Sequence, residues 1–109
     1  MTLAFRLLAF LCAAAIVFLS LEPAREVQTV LHADKVKHFA AYAVLCGLTG
    51  LGWPRLRLPL LIGLVALFGA GMEIAQALAG TGRTPSVLDA LANLCGAACA
   101  GGMLHLLRR

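Results

Sequence analysis

Long apolar runs separated by short polar segments dominate this chain. Each of four runs is close to the roughly 20 residues that an α-helix needs to cross the hydrocarbon core of a bilayer. They occupy residues 5–21, 36–53, 58–79 and 87–107. Trp53 suits a membrane interface and Pro54 stops a helix, so together they end the second run. The pattern predicts an all-α integral membrane protein, with four transmembrane helices in a single domain over residues 1–109.

The first run has features of a signal peptide, because one basic residue, Arg6, precedes its apolar stretch. A cut after Ala24 would place Glu22 where cleavage requires a small residue. We therefore expect an uncleaved membrane anchor.

Composition excludes the main soluble classes. The chain is 61% hydrophobic and 13% charged, whereas soluble domains have about 45–50% apolar and about 25% charged residues. The net charge of +4 does not indicate nucleic-acid binding, because the basic residues lie between apolar runs rather than on a face with aromatics. The four cysteines lie inside apolar runs without C-x-x-C spacing, so we expect neither a disulfide nor a zinc site from them.

The basic residues also suggest an orientation, since an even number of spans places both termini on one side. That side would carry Arg6, Arg55, Arg57, Arg108 and Arg109. The opposite side would carry Arg25, Lys35, Lys37 and Arg83. Lys35, Lys37 and Arg83 lie beside polar residues of a candidate site. When these three are set aside, the first side has five basic residues and the second side has one. The positive-inside rule then favours cytoplasmic termini.

Glu73 is the most informative residue, because a carboxylate at the centre of a transmembrane helix costs about 2.5–3.5 kcal/mol. The turn at 80–86 makes the third and fourth helices antiparallel neighbours. Counted outward from that turn, Glu73 lies level with Asn93 and Gln76 lies level with Asp89. Arg83, in the turn, can reach either carboxylate.

The second helix contributes a third side to this cluster. Asp34, His38 and Tyr42 follow one another at four-residue spacing and share one helical stripe. In a four-span topology, the start of this helix lies at the same membrane face as the 80–86 turn. We therefore predict one polar site near the outer face. Its candidate ligand-binding residues are Asp34, Lys35, His38, Tyr42, Glu73, Gln76, Arg83, Asp89 and Asn93.

Most members of the set also have a purely structural interpretation. Ser86 and Asp89 match a capping box, and Asp34 has the chemistry of a cap for the second helix. Gln76 and Asn93 are able to join helices by hydrogen bonds alone. Lys35 and Lys37 suit interfacial anchors, and Tyr42 suits either packing or donation to Glu73. Glu73 itself is too far inside its helix to act as a cap.

Several spaced motifs resemble the VanZ-like family of bacterial membrane proteins. They are D-K-x-x-H-F-x-x-Y (Asp34 to Tyr42), E-x-x-Q (Glu73, Gln76), G-R (Gly82-Arg83) and D-x-x-x-N-x-x-G (Asp89, Asn93, Gly96). The likeness covers about residues 34–100, and it departs where Thr81 stands at a position that is often proline in the family. It implies a multi-pass protein of the bacterial inner membrane, associated with low-level teicoplanin resistance, and implies no mechanism.

Two functions of different classes follow. In the first, the outer polar site binds an envelope lipid, a glycopeptide or another anionic group through Lys35, Lys37 and Arg83. In the alternative, the chain is a membrane-embedded hydrolase or transferase for a lipid-linked substrate, with Glu73 as catalytic base and His38 as acid. The sequence leaves catalysis open. A transporter is disfavoured, because the polar residues cluster near one face rather than crossing the membrane.

A metal site is a further option that the sequence disfavours. Asp34, His38, Glu73 and Asp89 would offer carboxylate oxygens and one imidazole, but Arg83 would compete for the carboxylates. We expect no metal and no cofactor. Membrane lipids are the expected partners, nucleic acid is not, and the sequence does not determine an oligomeric state.

Overall fold

The computed structural model describes residues 1–21, 31–80 and 87–108, with the side chains of the second helix described from Lys35 onward. The fold is all-α, as predicted. The four helices are α1 (Thr2–Ser20), α2 (Leu31–Gly52), α3 (Leu58–Leu78) and α4 (Val87–Leu107).

The largest difference from the predicted bounds is at the start of α2, which begins at Leu31 rather than near residue 36. The polar segment before Val36 continues the helix, because acidic residues are favourable in a first turn and lysine is a good helix former. Asp34 is therefore the fourth residue of α2, and its interpretation as an N-cap is wrong.

The connection between α2 and α3 is short and built by two prolines. Pro54 follows Trp53, whose backbone N–H still bonds the carbonyl of Thr49 at 2.9 Å and closes α2. Arg57 is extended, with φ −65° and ψ 134°, and precedes α3. Pro59 lies in the first turn of α3, where a missing N–H removes no helical hydrogen bond.

The most extensive packing joins α2 to α4, while α1 covers α2 and α3 covers α4. The helices α2 and α4 are parallel, because Lys35 contacts Asp89 at one end and Arg108 contacts the Gly50 carbonyl at the other. The helices α3 and α4 are antiparallel, with Gly101 of α4 beside Ile62 near the start of α3. The bundle thus places the starts of α2 and α4 and the end of α3 at one end.

Gly96 allows the backbones of α2 and α4 to meet. A Cβ atom at this position would collide with the backbone carbonyl oxygen of Phe39 and lie 3.2 Å from the Ala43 nitrogen. Small residues permit such close approach between helices that lipid surrounds. Ala97 and Ala100 are buried on the same helix. This contact sets how near the polar side chains of the two helices come.

The bundle exposes apolar side chains and buries polar ones, which is the reverse of the arrangement in a soluble protein. Large apolar side chains are exposed along the outside, including Phe10, Phe18, Leu67 and Leu78. Among the residues that the structure describes, the buried polar side chains are those of Glu73, Gln76, Asp89 and Asn93. Three helices, α1, α3 and α4, are long and apolar enough to cross a membrane. The helix α2 does not qualify on the same measure, because its first half carries three charged residues and two histidines.

Two arginines bind the carboxyl end of α2, at the end of the bundle away from Glu73. Arg6 donates from Nε to the Gly52 carbonyl at 2.7 Å, and its guanidinium lies 5.2 Å from the centre of the Trp53 ring. Arg108 donates to the carbonyls of Leu56 at 2.7 Å and Gly50 at 3.1 Å. Cations at a helix carboxyl end satisfy its last carbonyls and oppose the helix dipole.

The Gly96 contact generates a stability prediction. We expect Gly96→Ala to lower the free energy of unfolding in detergent by about 1–3 kcal/mol, because the added methyl group forces α2 and α4 apart. The matched control is Gly102→Ala on the same helix, which has open space around it and should be neutral or slightly stabilising. Equal effects of the two substitutions in unfolding titrations would contradict the packing argument.

Candidate functional site

Polar side chains from α2, α3 and α4 meet at the end of the bundle away from Arg6 and Arg108. The first contact joins Lys35, whose Nζ donates to Oδ1 of Asp89. The two side chains are 25% and 12% exposed. The ion pair is therefore only partly desolvated, and Lys35 retains contact with the surroundings. It links the amino-terminal ends of two parallel helices, and Asp89 lies in the first turn of α4, where the helix dipole favours an acidic residue.

His38 lies one turn further along α2 and contacts α4 through both ring nitrogens. Its Nδ1 lies 3.0 Å from Oδ1 of Asn93, and its Nε2 lies 3.6 Å from Oδ2 of Asp89. An amide oxygen only accepts hydrogen bonds, so Nδ1 carries the proton and donates to Asn93. The other nitrogen consequently faces the Asp89 carboxylate.

Asn93 is the centre of this arrangement, and its side chain is 1% exposed. Its Nδ2 has no hydrogen-bond partner among the described residues. Gly69 of α3 makes room for the amide, because a Cβ at Gly69 would lie 2.9 Å from Nδ2 and 3.2 Å from Cε1 of Tyr42. A buried donor without a partner costs about 1–3 kcal/mol and calls for an explanation.

Glu73 brings α3 into the same cluster. It is 6% exposed, and it joins His38 and Asp89 in a group whose ligand atoms all lie within 4.8 Å of one another. One imidazole nitrogen and two carboxylate oxygens at such separations are able to hold a metal ion. The same three groups are also suited to moving protons, since a neutral imidazole and a carboxylate exchange them readily.

Two further residues of the predicted site, Tyr42 and Gln76, lie beside the cluster and pack or bond to neighbouring elements. Tyr42 is buried, 2% exposed, and its ring centre lies 6.0 Å from that of Phe68. Gln76 donates from Nε2 to the backbone carbonyl of Ser20 at 2.9 Å, which ties the end of α3 to the end of α1. The bond to α1 was not predicted, because a backbone carbonyl at a helix end leaves no mark in the sequence.

The remaining predicted members lie outside the described residues. They are Arg83, Ser86 with its proposed capping box, and the side chain of Asp34. Lys37 is described and exposed. Sequence reasoning missed Gly69, although a glycine one turn before Glu73 on the same helical face was a usable signal of close packing at that depth.

Within the described residues, the cluster offers a partly exposed ammonium group, an oriented imidazole, two carboxylates and a buried amide. Comparison with models of known protein families, with curated proteins and with solved structures finds no match for this chain.

The Lys35–Asp89 pair predicts energetic coupling between α2 and α4. We expect Lys35→Met and Asp89→Asn each to lower the free energy of unfolding by about 1–3 kcal/mol, because each leaves a partly buried charge without its partner. The double variant should lose less than the sum of the two. Lys37→Met, at an exposed position on the same helix, is the control and should be nearly neutral. Additive losses in a double-mutant cycle would contradict the ion pair.

Proposed function

We propose that this chain is a VanZ-like integral membrane protein of the bacterial cell envelope, whose polar cluster binds the anionic headgroup of an envelope lipid. The observation that carries the proposal is the convergence of Lys35, His38, Glu73, Asp89 and Asn93 at one end of an otherwise apolar bundle. Polar groups that are costly in a membrane usually serve a ligand or pathway. The spaced motifs of the VanZ-like family include these residues.

The proposal includes α2 as a fourth transmembrane helix. It contacts α4 at both ends, through Lys35–Asp89 and Gly50–Arg108, so it extends over the same depth as a helix that is apolar enough to span. Its Lys35 and His38 side chains face partners on α4, which lowers the cost of placing them in a membrane. Its second half, from Phe39 to Gly52, carries no charged residue.

The distribution of cations supports an orientation. Arg6, Arg55, Arg57 and Arg108 lie at the end of the bundle away from the cluster. The positive-inside rule favours that end for the cytoplasm of the bacterial inner membrane. The cluster then lies at the outer face, within reach of lipids and glycopeptides of the envelope.

The surface beside the cluster suits an amphiphilic ligand. Lys35 is partly exposed beside its contact with Asp89 and Lys37 is exposed, so a phosphate at this end of the bundle would lie near both ammonium groups. Val36, Phe39 and Leu88 are exposed apolar side chains near the same helix ends. A lipid headgroup would contact the lysines while its acyl chains lie along this apolar surface.

Lipid retention tests this proposal directly. We expect the parent protein, purified in mild detergent from bacterial membranes, to keep an anionic phospholipid that native mass spectrometry detects. Lys35→Gln should lower that retention about tenfold, because it removes a charge-assisted hydrogen bond of the kind that is worth about 1.5–3 kcal/mol. The matched control, Arg57→Gln at the other end of the bundle, should retain as much as the parent. Equal retention by all three would identify the lipid as bulk membrane lipid and contradict the site.

Teicoplanin susceptibility tests the link to the envelope. We expect a sensitive host that makes the parent chain to gain protection, and the isosteric Glu73→Gln variant at matched membrane levels to lose it. Arg57→Gln is again the control and should protect as the parent does. If Glu73→Gln protects as well as the parent, the polar cluster is not responsible for the protection. If none of the three proteins protects the host, the chain has no resistance activity.

A second candidate is a membrane-embedded hydrolase or transferase for a lipid-linked substrate. The observation in its favour is the hydrogen bond from His38 to Asn93, which orients the imidazole beside the Glu73 and Asp89 carboxylates. Under this mechanism Glu73→Gln should abolish turnover of a lipid-linked phosphate while lipid retention persists. Under the binding proposal, the parent itself releases no product from that substrate.

A further inference from the structure

We propose that His38, Glu73 and Asp89 form a binding site for a divalent transition-metal ion, with coordination positions left open for water or a ligand oxygen. Each residue comes from a different helix, α2, α3 and α4 respectively. Their ligand atoms all lie within 4.8 Å of one another. The inference goes beyond lipid binding and does not depend on it, because it requires only these three side chains.

The distances between the ligand atoms are close to those found around a bound zinc ion. Nitrogen and oxygen ligands lie about 2.0–2.2 Å from zinc, so two neighbouring ligands on one ion are roughly 3–3.6 Å apart. His38 Nε2 and Asp89 Oδ2 are 3.6 Å apart, which is already at the upper end of that range. The ligand atom of Glu73 lies within 4.8 Å of the other two, so Glu73 would approach them by roughly 1 Å to complete a three-ligand set.

The imidazole is oriented as a metal ligand requires. Donation from Nδ1 to the Asn93 oxygen, at 3.0 Å, leaves the lone pair on Nε2 directed toward Asp89. Ligating histidines typically donate their other N–H to a carbonyl or carboxylate in this way. A proton on Nε2 or a metal ion between the two groups removes the repulsion between the imidazole lone pair and the carboxylate oxygen. Asn93 is thus a positioning residue for the site.

Asp89 is oriented by its second oxygen. Oδ1 accepts from Lys35 while Oδ2 faces His38, so the carboxylate presents one oxygen to an ion as a monodentate ligand. Two carboxylates in one partly buried cluster also repel each other, and a divalent ion bound to both removes that repulsion.

The buried amide of Asn93 adds an independent observation. Its Nδ2 has no partner within the described ranges although the side chain is 1% exposed. A metal-bound water or phosphate oxygen is an acceptor that this donor would satisfy. Three protein ligands with open positions are also the pattern of metal sites that bind substrates, whereas closed four-ligand sites are structural.

The donor set selects the class of ion. One imidazole with two carboxylates suits zinc, manganese or ferrous iron, whereas magnesium and calcium prefer oxygen ligands alone. The sequence argued against a metal because only one histidine lies in the cluster and Arg83 would compete for the carboxylates. The structure alters that balance, since it shows the histidine oriented by Asn93 and facing a carboxylate that Lys35 holds.

Zinc binding to the tag-free parent protein in detergent tests the inference. After removal of bound metal, we expect one equivalent of zinc per chain and a rise in the unfolding temperature with zinc concentration. Glu73→Gln and Asp89→Asn should each lower the affinity at least about 100-fold, and Asn93→Leu about 10- to 100-fold, whereas Asn93→Asp should keep it. His105→Gln, at the far end of α4, is the control and should bind as the parent does.

Cobalt replaces zinc as a spectroscopic probe, and its absorption distinguishes this site from the free thiols of the chain. Bands of nitrogen and oxygen ligation support the site, whereas thiolate charge transfer assigns the ion to cysteine and overturns the proposal. Absence of saturable zinc binding by the folded parent, or full binding by Glu73→Gln and Asp89→Asn together, also overturns it.

Lipid retention measured on the same preparations separates the two proposals. Retained lipid without zinc binding overturns only the metal site, and zinc binding without retained lipid overturns only the headgroup site.

Discussion

A carboxylate inside a bundle with an apolar exterior must find its partners within the protein, and the rest of this structure follows from that constraint. Glu73 is 6% exposed on a helix that is apolar enough to cross a membrane. In hydrocarbon such a group has no water to solvate it. The chain places it against the polar side chains of α2 and α4, so that these helices pack on each other and α3 packs on α4.

The glycines make this convergence possible. Gly96 lets the backbone of α4 touch that of α2 at Phe39, and Gly69 leaves the volume that the Asn93 amide fills. A methyl group at Gly96 would push apart the helices that carry His38 and Asp89, and one at Gly69 would push α3, which carries Glu73, away from Asn93 and Tyr42. Close packing at the glycines and contact between the polar side chains therefore depend on the same short spacing between the helices.

The two ends of the bundle use charge in different ways. At one end, Arg6 and Arg108 donate to backbone carbonyls at the close of α2, which is a structural role. At the other end, Lys35 binds a side-chain carboxylate that itself faces an imidazole. The first arrangement completes a helix terminus, whereas the second leaves an oriented set of donors and acceptors that suits a ligand.

The sequence by itself determined the helical class, the positions of α3 and α4 and the need of Glu73 for polar partners, because apolar periodicity and a costly charge are local signals. It placed the start of α2 too late, since polar residues in a first turn resemble a loop. It also predicted that residues 34–42, 73–76 and 89–93 share one end, because topology alone brings those helix ends together. Only the tertiary structure decided that His38 bonds Asn93, that Lys35 bonds Asp89 and that Gln76 bonds α1 at Ser20. Those pairings depend on the rotation and spacing of the helices, which the backbone contact at Gly96 sets: small residues at four-residue spacing (Ala92, Gly96, Ala100) mark a close-packing face in the sequence but do not say which helix packs there.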